Sequence, residues 1–295
     1  MTMKLAVGPL LYFWDRVLTL RFYADLCDAP VDIVYLGEVV CSKRRAMRRE
    51  DWQEVAQLLT DAGKQVVFST LALIEAQSEV ASVTRIAAGQ VLVEANDHAA
   101  LHALSGRDFV AGPHLNVYNE AALGFLARHG ACRWVAPVEL PLATIATLAC
   151  TRPAGMEFEL FAYGRMPLAF SARCFTARAH HLQKDECGFV CGQYPDGLTI
   201  HSREDQPFLA FNGIQTQSAA IQNLLPHVGA IRGAGVDILR LSPHSRDFLD
   251  VVRAFRDALD GAPVTLPPGF LPGGYCDGYL AGVPGIVHGA HAPQP

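Results

Sequence analysis

Eight short apolar runs, separated by stretches of helical periodicity, narrow the fold of this chain more than any other feature. The runs are Lys4–Gly8, Val31–Leu36, Gln65–Ser69, Val91–Ala95, Asp108–Gly112, Cys132–Ala136, Glu157–Tyr163 and Val236–Leu241. Most are hydrophobic throughout rather than alternating, the pattern of parallel strands covered on both faces. Helical patterns fill the gaps. Asp51 with Glu54 has capping-box spacing, Val55, Leu58 and Leu59 make an apolar stripe, and Gly63 supplies a stop. Asn119–His129 ends at Gly130 in the same way, and Phe248, Val251, Val252, Phe255 and Leu259 share one face before Gly261. Strand and helix alternating eight times predict a (β/α)8 TIM-type barrel. An open doubly wound sheet is the alternative, because one misplaced boundary hides or invents a strand. At 295 residues and 51% hydrophobic, the chain suffices for a single α/β barrel domain over 1–295.

One region breaks the rhythm. About 70 residues separate the seventh and eighth runs, a length that is usually functional inside a compact domain. They carry an expected hairpin: Leu198–Ser202, the polar turn Arg203–Gln206, then Pro207–Phe211. An insertion over 174–230 is therefore expected between strands 7 and 8, with a Pro/Gly-rich, irregular tail over 262–295. The net charge of -5 gives no basic field of the kind that wraps nucleic acid, so no nucleic-acid partner is expected. Lys43, Arg44, Arg45, Arg48 and Arg49 form a local basic cluster, read either as a solvated helix start or as a site for an anionic ligand or acidic partner. No apolar stretch is long enough to span a bilayer, and Leu5–Trp14, broken by Gly8 and Pro9, reads as a strand and turn, not an export signal. The chain is expected to be cytoplasmic. A reducing compartment turns its eight cysteines towards metal or redox use.

Cys174, Cys187 and Cys191 form C-x12-C-x3-C in the insertion, while Cys41 follows the second strand. In a barrel, segments leaving the strands emerge at one face, so Cys41 and the later three can meet there. Four thiolates suit a tetrahedral zinc or an iron–sulfur cluster; without two short-spaced knuckles the spacing leans to the cluster, and unliganded core or redox thiols stay open. Cys27, Cys132 and Cys150 read as small buried hydrophobes, and Cys276 is undecided. Glu38, Arg173, Lys184 and Asp185 flank the four cysteines and are expected to line the same cavity; His180 and His181 are read as surface residues that could instead donate to the site. No G-x-S-x-G, H-E-x-x-H, P-loop or G-x-G-x-x-G motif is present.

The segment Glu159-Leu-Phe161-Ala-Tyr-Gly164-Arg-Met-Pro167, followed by Ser171-Ala172-Arg173-Cys174, resembles the E-x-F-x-x-G-x-x-C and S-G-x-C signature of the collagenase-like peptidase family. Pro167 stands where that family has its first cysteine, and Ala172 replaces the glycine. This departure resembles the branch of the family that serves oxygen-independent ubiquinone biosynthesis, where an N-terminal cysteine replaces the missing ligand. Leu36-Gly37-Glu38-Val39-Val40-Cys41-Ser42-Lys43-Arg44-Arg45 is similar to that N-terminal motif. Ser69–Leu73, Val93–Asp97, Leu115–Asn119 and Phe211–Ser218 are similar too. The resemblance implies a [4Fe-4S] cluster on Cys41, Cys174, Cys187 and Cys191. It further implies a cluster-bearing partner, UbiU, in a heterodimer, a lipid-binding partner, UbiT, and a prenylated aromatic substrate hydroxylated with prephenate as oxygen donor. Four cysteine ligands leave no iron open, which favours electron relay; two clusters in a heterodimer match a two-electron oxidation. RNA hydroxylation, a non-catalytic scaffold or redox sensor, and peptide hydrolysis are the alternatives.

Overall fold

Alternate residues of each short strand face opposite ways, and here both directions are buried. In β1 (Lys4–Val7), Leu5 and Val7 join the large core beneath the helices while Ala6 joins a second, inner cluster. β2 (Ile33–Leu36) repeats the pattern, with Ile33 and Tyr35 inward and Val34 and Leu36 outward. This is why the runs read as continuously apolar.

The computed structural model describes residues 3–289. α1 (Arg16–Asp25) follows β1, and α2 (Arg49–Asp61) follows β2. The alternation continues through β3 (Gln65–Ser69), α3 (Gln77–Ala87), β4 (Leu92–Ala95), α4 (His98–Leu104), β5 (Phe109–Ala111), α5 (Glu120–Arg128), β6 (Ala131–Val135), α6 (Leu142–Thr151) and β7 (Glu157–Phe170). The insertion then contributes α7 (Phe175–Ala179), β8 (Leu198–His201), β9 (Pro207–Asn212) and β10 (Gln215–Asn223) before α8 (Val228–Gly233) and the last barrel strand, β11 (Ile238–Leu241). α9 (Phe248–Leu259) and β12 (Tyr275–Cys276) complete the order.

Parallel pairing runs from β1 to β7 in sequence order, and β11 pairs in parallel with both β1 and β7. That double pairing closes an eight-stranded barrel and excludes the open sheet. α9 shows the packing at its clearest: Phe248, Val251, Val252, Phe255 and Leu259 are buried on one face, each contributing about 1.5–3 kcal/mol.

Two local expectations need correction. Asp51 does not begin its helix. It lies on the first turn, two residues inside Arg49, where its carboxylate accepts from the Arg48 N–H at 2.8 Å and from Arg16 Nη2 at 2.5 Å. The seventh strand does not end at Tyr163 but continues to Phe170, because β10 pairs antiparallel with its second half. β9 and β8 add to that edge, so a three-stranded antiparallel flap rises from the barrel wall. The tail is irregular over most of its described length and returns to the barrel through β12, which pairs with Ile221 and Gln222 of β10. Residues 290–295 of the expected tail lie outside the described residues.

Candidate thiol centre and barrel mouth

The four predicted cysteines come from four pieces of backbone. Cys41 sits on the loop after β2, Cys174 caps α7, Cys187 follows a short turn, and Cys191 lies in the next one. All four are half-buried. Charge on Cys191 acts on Cys41; charge on Cys41 and Cys187 acts on Cys174; charge on Cys174 and Cys187 acts on Cys191. Cys41, Cys174 and Cys191 thus each lie within the field of at least one other thiol. Cys41 and Cys174 both pack on an apolar patch of Leu11, Val39, Val40 and Ile214. Among the described residues no group of three or more His, Cys, Asp and Glu side chains is arranged to hold a metal ion.

Arg44 is the residue that sequence reasoning missed. Instead of sharing the solvent with Arg45, Arg48 and Arg49, it is buried, donating to Leu11 O and Asn212 Oδ1 at 2.7 Å each. Burial pushes the thiols of Cys41, Cys174 and Cys191 up, and the Arg44 guanidinium pulls each of them back. Asn212 and Gly213 hold this cation at the turn between β9 and β10. Gly213 has φ +65°, and a Cβ there would meet Arg44 Nη2 at 3.0 Å. The same turn fixes α7, since Gly213 O accepts from the Phe175 N–H and Thr176 Oγ1 accepts from the Gly213 N–H. The Asn212-Gly213 motif thus ties Cys174 to Arg44.

The expected cavity residues have other tasks. Glu38 accepts from the N–H groups of Val40 and Cys41 at 2.8 and 3.0 Å, shaping the Cys41 loop from within. Lys184 pairs with Glu75 and donates to Ala172 O at 2.9 Å, while Asp185 pairs with Lys43. These two pairs clasp the Cys187 loop to the loops after β2 and β3. Asp185 and Arg173 are exposed rather than lining a cavity. His181 is exposed, but His180 Nε2 shares a 2.8 Å hydrogen bond with the Tyr194 hydroxyl, linking α7 to the Cys191 turn. Phe13 covers that turn, with its ring 5.5 Å from Phe189. Of the remaining cysteines, Cys27 and Cys132 are half-buried, and Cys150 is exposed, because it lies on the outer side of α6. Cys276 is buried in a separate cluster with Val138, Phe161, Met166 and Ala220.

A cavity of about 220 Å³ opens beside the thiol centre at the barrel mouth. Ala72 and Phe170 belong to both the cavity wall and the thiols' apolar patch. Pro167, Leu168 and Ala169 from the β7 extension line it, opposite His114, Asn116, Pro137 and Glu139. Pro167 therefore lines a pocket where the family signature has a cysteine. Burial lowers the His114 pKa to about 4, opposed by Glu94, so its imidazole is neutral at pH 7. Below lies a paired charge network. Arg240 reaches Glu159 at 2.6 Å and Glu94 at 2.7 Å, Tyr35 donates to Glu159 at 2.5 Å, and Arg133 reaches Glu157 at 2.7 Å. Burial pushes the Glu94 carboxyl up, but Arg240, Ser69 and Asn96 outweigh it and hold it below the usual carboxylate range.

A closed barrel of eight parallel strands, with loops converging at the strands' carboxyl ends, defines a (β/α)8 protein with its candidate site at the usual face. Within that class, the model of peptidase family U32 matches residues 20–265, and the chain belongs to that family. Among solved structures it is similar to a U32 peptidase at 11% identity and TM-score 0.46, over 83% of this chain and 95% of that one. It is also similar to a chain of the tryptophan synthase complex from Pyrococcus furiosus, at 11% identity and TM-score 0.44, over 88% and 100%. A truncated 3-deoxy-D-arabino-heptulosonate 7-phosphate synthase from Thermotoga maritima matches at 8% identity and TM-score 0.38, over 88% of each chain.

Proposed function

We propose that this U32 chain is a UbiV-like subunit of a heterodimeric, oxygen-independent hydroxylase acting on the aromatic ring of ubiquinone precursors. In this reading it carries a [4Fe-4S] cluster, pairs with UbiU, receives prenylated substrate through UbiT and uses prephenate as oxygen donor. The observation that supports the reading is the buried Arg44 guanidinium acting on Cys41, Cys174 and Cys191, with the charge of Cys187 felt by Cys174 and Cys191. The chemistry of the donor set supports it: four half-buried thiols, with a cation that favours the deprotonated form of Cys41, Cys174 and Cys191.

Cys41, Cys174, Cys187 and Cys191 would hold the cluster, which when bound supplies one-electron transfer at a potential set by charge, hydrogen bonding and solvent exposure. The chain's own residues do the rest. Arg44 offsets negative charge gathered on the four sulfurs, and Glu38 fixes the Cys41 loop through two N–H groups. The cavity beside them, of about 220 Å³ and walled by Pro167, Phe170 and His114, has room for a single ring. His114, neutral at pH 7, can accept or donate a hydrogen bond there without introducing charge.

Anaerobically purified protein is expected to be brown, with iron and acid-labile sulfide in equal amounts. Cys41→Ser removes the colour and leaves the barrel folded by circular dichroism. A colourless protein holding zinc instead sinks the cluster, and a cluster that survives in Cys41→Ser sinks the ligand set. Assay with and without the partner separates a catalytic subunit from a scaffold, and a peptide-hydrolysis assay tests the activity named by the family.

A further inference from the structure

The β7 extension also presents a buried cation that neither the thiols nor the lower charge network uses. Arg165 is 2% exposed, yet its Nε and Nη1 atoms have no hydrogen-bond partner, and Nη2 reaches only Thr199 Oγ1 at 3.4 Å, the outer limit for a hydrogen bond. Among the described residues it forms no ion pair. Gln217, fully buried on β10, has both amide atoms unpartnered. Tyr12, on the loop after β1, bridges the two: its hydroxyl lies against the Gln217 amide and within the field of Arg165. Buried polar groups are nearly always paired, and an uncompensated buried charge is the costliest exception.

The nearest acidic residue does not fill the role. Asp196 acts on Arg165 through space, but its carboxylate is held by the N–H and hydroxyl of Ser245. On the side of Arg165 facing the segment after Cys191, the chain places Gly197, whose missing Cβ would stand 3.5 Å from Nη1. Tyr12 also lines a narrow cavity of about 40 Å³ with Trp14, Glu38 and Arg44, and Arg165 and Gln217 are not among its lining residues.

We infer that Arg165, Gln217 and Tyr12 form a binding site for the carboxylate of a small organic acid. A carboxylate accepts from the guanidinium fork, the Gln217 amide N–H and the Tyr12 hydroxyl together. A single negative charge matches a single cation, whereas a phosphate dianion would also face Asp196. This assignment rests on unpartnered atoms of the barrel mouth and stands whether or not the four cysteines bind a cluster.

The test is thermal unfolding of the full chain at pH 7.5 in sodium acetate, with sodium chloride and sodium phosphate at matched ionic strength. Acetate is expected to raise Tm saturably by roughly 2–4 °C over chloride. Arg165→Gln abolishes that rise, Arg165→Lys keeps part of it, and Gln217→Leu weakens acetate affinity roughly tenfold, the loss of one good hydrogen bond. Should Arg165→Gln fail to fold, Gln217→Leu decides. Coincident acetate and chloride curves mean the groups are satisfied by water and overturn the site, as does an acetate dependence of Tm that Gln217→Leu leaves unshifted. A larger rise in phosphate overturns the carboxylate assignment. The Cys41→Ser variant should respond to acetate like the wild type.

Discussion

Two layers of the same barrel treat buried charge in opposite ways. In the lower layer Arg240 is shared between Glu159 and Glu94, its guanidinium lies 4.0 Å over the Tyr35 ring, and Arg133 completes the set through Tyr35, Gln65 and Glu157. In the upper layer Arg165 and Gln217 lack partners. Both layers are equally deep, so burial does not distinguish them. Pairing does. A closed network holds strands together, while unpaired donors at the mouth are available to something that arrives from outside.

The largest effect should come from opening the lower layer. Glu159→Ala removes a carboxylate bound by both Arg240 and Tyr35, leaving a cation buried with one partner fewer, and should cost about 3–5 kcal/mol in denaturant unfolding. Arg165→Met, of similar depth, should leave stability unchanged or raise it, because it deletes a charge that has no counterion. Equal losses in the two variants would erase the contrast.

The lower layer was legible only in part. The strand runs that carry Glu94, Glu159 and Arg240 are visible as apolar segments, and the inward side of each follows from period-two alternation. What no single run reveals is that their three inward charges come from strands far apart in sequence and meet on closure. The upper layer was harder. Gly164 (φ +129°) packs so tightly on Ser242 that a Cβ would stand 2.5 Å from it, and Pro167 sits where β7 and β10 shift register. β10 escaped notice because Gln215, Thr216, Gln217 and Ser218 look like a polar loop. Residue type and spacing single out the four cysteines as candidates. They do not single out Arg44, since one buried arginine inside a basic run has no signature of its own.

Intermediate effects belong to the histidines of the mouth. Burial lowers His114 and His244 to about 4, against 6.5 for the free side chain. Between pH 6.5 and 4 the unfolded chain therefore binds protons that the folded chain refuses, and stability falls as pH drops through that window. Each residue should contribute roughly 3 kcal/mol, full above pH 6.5 and gone below 4. Urea unfolding at several pH values should show this slope, and His244→Gln should flatten it. His244 shares a 3.1 Å hydrogen bond with Tyr163 through Nε2, which glutamine can replace. An unchanged slope in that variant would assign the acid lability to carboxylates instead.

The smallest effect on stability should come from the clasp outside both layers. Lys43 pairs with Asp185, whose side chain is 86% exposed, and such a surface pair adds little to stability. Asp185→Ala should leave the unfolding midpoint where it is. The clasp nonetheless spans two cysteine-bearing segments, since Lys43 lies two residues after Cys41 and Asp185 two before Cys187, and Lys43 Nζ also donates to Lys184 O at 3.2 Å. Releasing it should loosen the Cys187 loop without touching the barrel. Faster modification of the four thiols by an alkylating reagent, at unchanged global stability, is the expected signature. If thiol reactivity stays the same, the loop is held by the Phe13–Phe189 contact and the His180–Tyr194 hydrogen bond alone, and the ion pair is only a surface decoration.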